Sequence, residues 1–149
     1  MATEYWFYHL EASPVEAVLP NLLEKTLERG WRSLVRVGAD DLPALDDHLW
    51  TFRDESFLPH GRDDEPMAER QPVVLSSSRK VAEGFQAVFL LGRERLADMT
   101  GAERCLVMIN GRSESDTAAA RTLWKELKDA GETISYWQQR RGGRWEKKA

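Results

Sequence analysis

Asp46, Asp47, His48, Asp54 and His60 place three carboxylates and two imidazoles within the segment Leu45 to His60, LDDHLWTFRDESFLPH. Carboxylate and imidazole are the groups that hold zinc or manganese and the groups that shuttle protons. A metal needs three or four of them converging on one point. His48 stands one and two residues from Asp47 and Asp46, spacings that point side chains to different sides of a helix, which leaves His48, Asp54 and His60 with no recognised ligand spacing. The same segment also carries Trp50, Phe52, Phe57 and Leu58, with Pro59 stopping whatever element holds them. On that second reading Leu45, Leu49 and Trp50 face a core, and Asp46, Asp47 and His48 face water or bind the next loop. No metal and no other cofactor is expected.

A second constellation lies near the C-terminus. Ala120, Leu123, Leu127 and Ala130 recur at helical spacing and predict a buried stripe. Arg121, Lys125 and Lys128 follow at i, i+4 and i+7, so three cations share one exposed face, and Trp124 sits on the border between the two stripes. An aromatic ledge beside fixed cations suits a peptide that carries both carboxylates and an apolar side chain. It equally suits a stacked nucleotide base.

The elements that position these residues alternate. Glu4 to Leu10 reads as an aromatic-rich strand. Ser13, Pro14 and Glu16 predict a capped helix start, and the apolar positions Val15, Val18, Leu19, Leu22, Leu23 and Leu27 carry it to Gly30, with a kink or a later start expected at Pro20. Ser33 to Val37 is a second strand. Asp40 or Asp41 caps a second helix that runs to about Trp50. Gly61 to Glu69 reads as a polar surface loop. Pro72 to Ser76, Ala87 to Leu91 and Cys105 to Ile109 are short, nearly continuous apolar runs, as strands covered on both faces are. Ser113 with Asp116 opens a last long helix that Gly131 ends, and Thr133 to Gln138 is a final strand. The order predicts one α/β domain over residues 1–149, Rossmann-like, with a mixed and mostly parallel sheet flanked by helices, and residues 140–149 as a basic C-terminal tail. Such a fold decides nothing about function.

Composition and missing motifs remove several functions. The chain has 149 residues, 42% hydrophobic and 31% charged, enough for one globular core. No apolar run reaches the ~20 residues of a membrane span, no secretory signal is read at the N-terminus, and the lone Cys105 supports neither a disulfide framework nor a thiolate zinc site. A cytoplasmic protein is expected. The turn after the first strand, Glu11 to Pro14, lacks the glycines of a dinucleotide site, and neither a phosphate loop nor a G-x-S-x-G elbow occurs. Net charge is −4, yet residues 121–149 carry eight cations against four acids, so the first 120 residues hold a balance of −8. An acidic body of this kind repels nucleic acid over most of its surface and leaves one local site for an anionic partner.

Over essentially its whole length the chain resembles the chi subunit of bacterial DNA polymerase III. The matching pieces are FYHLE at Phe7 to Glu11, LLEKTLERGWRSLVRV at Leu22 to Val37, the long and specific LDDHLWTFRDESFLPH, and ARTLWKELKDAG at Ala120 to Gly131. The closing YWQQRRGGRWEKKA looks like the form of alphaproteobacterial members. The resemblance implies a subunit without catalysis of its own. It would join the clamp-loader complex and bind the acidic C-terminal tail of single-stranded DNA-binding protein, so that contact with nucleic acid is mainly indirect. The tail site it implies comprises Arg121 and Lys125, with Trp124 in place of a family aromatic and Lys128 added from the helical face. The surface for the psi subunit, or for a substitute clamp-loader protein or helicase, would use Trp50 and Phe57, with Leu58 as their neighbour. Thr117 replaces a cation found in some members one turn before Arg121, which implies a weaker tail site. A competing expectation is a direct binder of single-stranded nucleic acid that uses Arg140, Arg141, Arg144, Trp145, Lys147 and Lys148.

Overall fold

The aromatic run at the N-terminus forms β1 (Glu4–Leu10), followed by α1 (Val15–Glu28), β2 (Ser33–Arg36), α2 (Leu42–Thr51), β3 (Gly61–Arg62), β4 (Val73–Ser76), β5 (Ala87–Leu91), β6 (Arg104–Asn110), α3 (Glu114–Asp129), β7 (Thr133–Gln139) and β8 (Trp145–Lys147). This is a computed structural model, and it describes residues 3–11, 14–51, 60–62, 71–77, 84–91, 102–139 and 145–148.

Among the described residues eight strands form one sheet in the order β3-β4-β2-β5-β6-β1-β7-β8. Every pairing is parallel except β7 with β8, where Trp137 opposes Lys147 and Gln139 opposes Trp145. The α/β class and the mixed, mostly parallel sheet are therefore as expected. The strands between 73 and 110 are all parallel, and the antiparallel pair comes from β8, within the stretch read as a tail.

Alternation along the central strands builds two cores, one on each face of the sheet. Leu106 and Met108 of β6 point to the face where Leu19 and Leu23 of α1 and Leu42, Leu45 and Leu49 of α2 pack. Cys105, Val107 and Ile109 point to the other face, with Phe7 of β1 and Ala120 of α3, against which Leu123, Trp124 and Leu127 are packed. Ala130, expected in the buried stripe of α3, is exposed, because the helix has reached its C-cap there and Gly131 turns away with φ of 76°.

Pro20 neither breaks nor starts the first helix. It sits buried inside α1, with Pro14 in the N-cap position. A proline there removes the N–H that would bond to the carbonyl of residue 16. That carbonyl instead accepts a hydrogen bond of 2.6 Å from His48 Nε2 on α2. His48, a metal-ligand candidate by its residue type, thus ties two helices together.

Candidate functional site

Leu45 to His60 folds so that its chemistry is structural where it can be described. Leu45 and Leu49 are buried, as expected, but Trp50 is 45% exposed. The reason is the helical period of α2: Leu42, Leu45 and Leu49 form its buried stripe, and Trp50 lies a full residue step beyond it. The indole covers His60 instead, with ring centroids 4.0 Å apart. His60 is buried, and its Nε2 lies 2.9 Å from Asp46 Oδ1 and 3.3 Å from the Asp46 carbonyl oxygen. Among the described residues no group of three or more His, Cys, Asp or Glu side chains is placed to hold a metal. Asp54, Phe57 and Leu58 lie outside the described residues.

On α3 the cations and the tryptophan stand as a helix of this sequence must set them. Ser113 caps the helix, its Oγ accepting from the Asp116 N–H at 3.2 Å, and Glu114 and Asp116 fill the first turn where the helix dipole favours acids. Arg121, Lys125 and Lys128 are exposed. Among the described residues none of the three has a carboxylate within 4 Å. Trp124 is half-buried and meets Phe7 and Tyr136 edge-on, at centroid separations of 5.3 and 5.6 Å, while Phe7 and Tyr136 stack on each other. The ring is thus a fixed ledge, held by β1 and β7, on the helix that carries the three cations.

Four residues not foreseen from sequence, His9, Glu11, Tyr136 and Gln138, extend this surface. His9 Nδ1 bonds to the Tyr136 hydroxyl at 2.5 Å, His9 Nε2 lies 3.4 Å from Glu11 Oε1, and Gln138 Nε2 donates to that carboxylate at 2.8 Å. Burial pushes the Tyr136 phenol above its usual range, and the Arg121 charge works against that rise. These residues were legible only as alternate positions of two strands, since no motif joins residue 9 to residue 136. Gly111 shapes the same end of the sheet: a Cβ there would come within 2.6 Å of both His9 Nε2 and the Leu10 carbonyl oxygen.

No helix among the described residues is long and apolar enough to cross a membrane. No curated protein matches the sequence. The family description "DNA polymerase III chi subunit, HolC" does match, over residues 2–135. The chain therefore belongs to the chi subunit family, the accessory subunits of DNA polymerase III.

Proposed function

We propose that this accessory subunit has no catalytic site of its own and links the clamp-loader complex to single-stranded DNA-binding protein by holding that protein's acidic C-terminal tail on α3. The observation that carries the reading is the row of Arg121, Lys125 and Lys128, exposed and without carboxylate partners among the described residues, beside the anchored ring of Trp124. Acidic side chains of the tail are drawn to the cations. Its apolar end rests on the indole edge, and the fixed ring lowers the entropy lost on binding. Trp50, with Phe57 and Leu58, forms the second surface, for psi or for a clamp-loader protein or helicase in its place; the large exposed indole is what supports it.

Titration of the full chain with a fluorescent acidic tail peptide tests the first site. Arg121→Ala is expected to weaken binding by roughly 1.5–3 kcal/mol, the usual range for a charge-assisted hydrogen bond, and rising salt weakens the wild type. Equal affinities for wild type and variant would remove α3 from the reading.

A further inference from the structure

Four of the six tryptophans, Trp6, Trp31, Trp137 and Trp145, lie on the face of the sheet opposite α3. Trp6 and Tyr8 share one side of β1, and the parallel register sets Tyr8 beside Trp137 of β7. The antiparallel register of β8 then sets Lys147 beside Trp137 and Trp145 beside Gln139. On this face the core around α1 includes Leu10, with Tyr8 and Trp31 packed against it, and Trp6, Trp137 and Trp145 belong to neither core. The rings touch in a row: Trp6 to Trp137 at 6.1 Å, Trp6 to Tyr8 at 6.4 Å and Tyr8 to Trp145 at 5.0 Å between centroids. Trp145, at the edge, is 36% exposed.

Cations are laid over these rings. The Arg104 guanidinium lies 3.9 Å from the Trp6 ring centroid and 5.3 Å from that of Trp31, Arg29 lies 4.8 Å over Trp31, and Lys147 Nζ lies 6.0 Å over Trp137. Among the described residues, none of Arg29, Arg104 and Lys147 has a carboxylate within 4 Å. Glu4 and Glu103 act on Arg104 only from beyond that distance, and Arg104 Nε is buried with no hydrogen-bond partner. Burial disfavours the Arg104 charge, and repulsion from Arg29 adds to that. Contact with the indoles holds these arginines in place but does not neutralise them, and a partly buried cation such as Arg104 is unfavourable without a counter-charge. What relieves the repulsion and covers the rings is one kind of ligand: an anion with flat aromatic groups.

We propose that this aromatic and cationic face, from Arg29, Trp31 and Arg104 across Trp6 and Trp137 to Trp145 and Lys147, is a binding site for single-stranded nucleic acid. Bases stack on the exposed indole of Trp145 and on the guanidinium planes laid over Trp6 and Trp31, without regard to sequence, and phosphates pair with the cations. The row crosses β6, β1, β7 and β8, about 14 Å of sheet, which suits a short run on the order of 4 nucleotides. A duplex hides its base faces and has no use for such a plate. The site is separate from the cations of α3, which lie across the sheet.

The test is fluorescence anisotropy of a labelled single-stranded oligothymidylate, and of its uridylate counterpart, titrated with the full chain. Saturable binding with quenched tryptophan emission is expected, weakening about 20-fold between roughly 50 and 200 mM salt if three phosphate contacts form. Arg104→Glu and Lys147→Glu should each weaken binding by about tenfold or more, and Trp145→Ala by at least about fivefold. Lys147 and Trp145 lie on the edge strand, so their variants keep the fold, which circular dichroism checks. Arg121→Ala should bind as the wild type does. The proposal is overturned if no single strand binds at low salt, if a duplex of equal length binds as well, or if Arg121→Ala loses as much as Arg104→Glu. It is equally overturned if sedimentation shows a dimer that shields Trp145, or if an acidic tail peptide displaces the oligonucleotide. The tail site stands or falls separately, on peptide binding by Arg121→Ala.

Discussion

His48 Nε2 donates a 2.6 Å hydrogen bond to the carbonyl oxygen of Glu16, the acceptor that Pro20 leaves without its helical donor. One helix thus repairs the other, and the repair is a testable link between three residues. His48→Ala should lower stability by about 1 kcal/mol. In a Pro20→Ala background the restored N–H supplies the bond from within α1, and the same histidine change should then cost clearly less. Urea unfolding of the four proteins gives the coupling; equal costs in both backgrounds would mean that the histidine bond is unrelated to the proline.

Gly111→Ala should destabilise the protein by roughly 1–3 kcal/mol. The new methyl would press on His9 and, at the same 2.6 Å, on the backbone oxygen of Leu10, which cannot swing aside. Gly111 also donates to that oxygen at 2.8 Å, so the loop cannot retreat without losing the bond. Thermal unfolding is the measurement, and an unchanged midpoint would mean that the loop relaxes freely.

Trp124 and Arg121 should separate when stability and peptide binding are measured on the same variants. Trp124 is wedged against Phe7 and Tyr136, so Trp124→Ala should cost about 2–3 kcal/mol of folding stability along with peptide affinity. Arg121 is exposed, and Arg121→Ala should leave stability within about 0.5 kcal/mol while affecting the peptide. A stable, tail-binding Trp124→Ala protein would show that the ring is neither wedge nor ledge.

Alkaline pH should destabilise the fold through Tyr8 and Tyr136. Burial raises both phenols above the ordinary value near 10, more than Arg104 and Arg121 respectively lower them. The folded state therefore favours the protonated phenol, a contribution fully present below the unfolded pKa and lost as pH rises through the folded one. Unfolding free energy should fall from about pH 10 upward, and Tyr8→Phe should make that fall shallower. A slope identical to the wild type's would refute the assignment.

Cys105 should resist thiol reagents in the native protein. It is fully buried, and burial pushes its thiol far above the ordinary range, so almost no thiolate is available to react. Modification should proceed at the rate of unfolding and become immediate in denaturant; rapid labelling of the native chain would contradict the packing of β6.

Continuous apolar runs made β4, β5 and β6 legible in the sequence, because strands covered on both faces leave no polar alternation to misread. Ser113 and Gly131 marked α3 for the same local reason, a cap and a left-handed turn. What could not be read locally depends on partners far away in sequence. Pro20 is tolerated because of His48, Trp50 leaves the core because of the period of α2 and covers His60, and β8 exists because β7 offers an edge. The cations of α3 were legible as a helical face. The aromatic plate was not, because its members come from residues 6, 8, 31, 137 and 145 and meet through the register of β1, β7 and β8 and through Arg104 of β6, which lies over both Trp6 and Trp31.

β1 serves both surfaces by parity alone: Phe7 props the tryptophan of α3, while Trp6 and Tyr8 turn to the opposite side. Odd and even positions of a single seven-residue strand are therefore under separate demands. Inserting or deleting one residue in β1 would exchange the two sets, sending Phe7 into the plate and an indole under α3. Point changes can adjust either surface by itself, but this strand has no freedom of length.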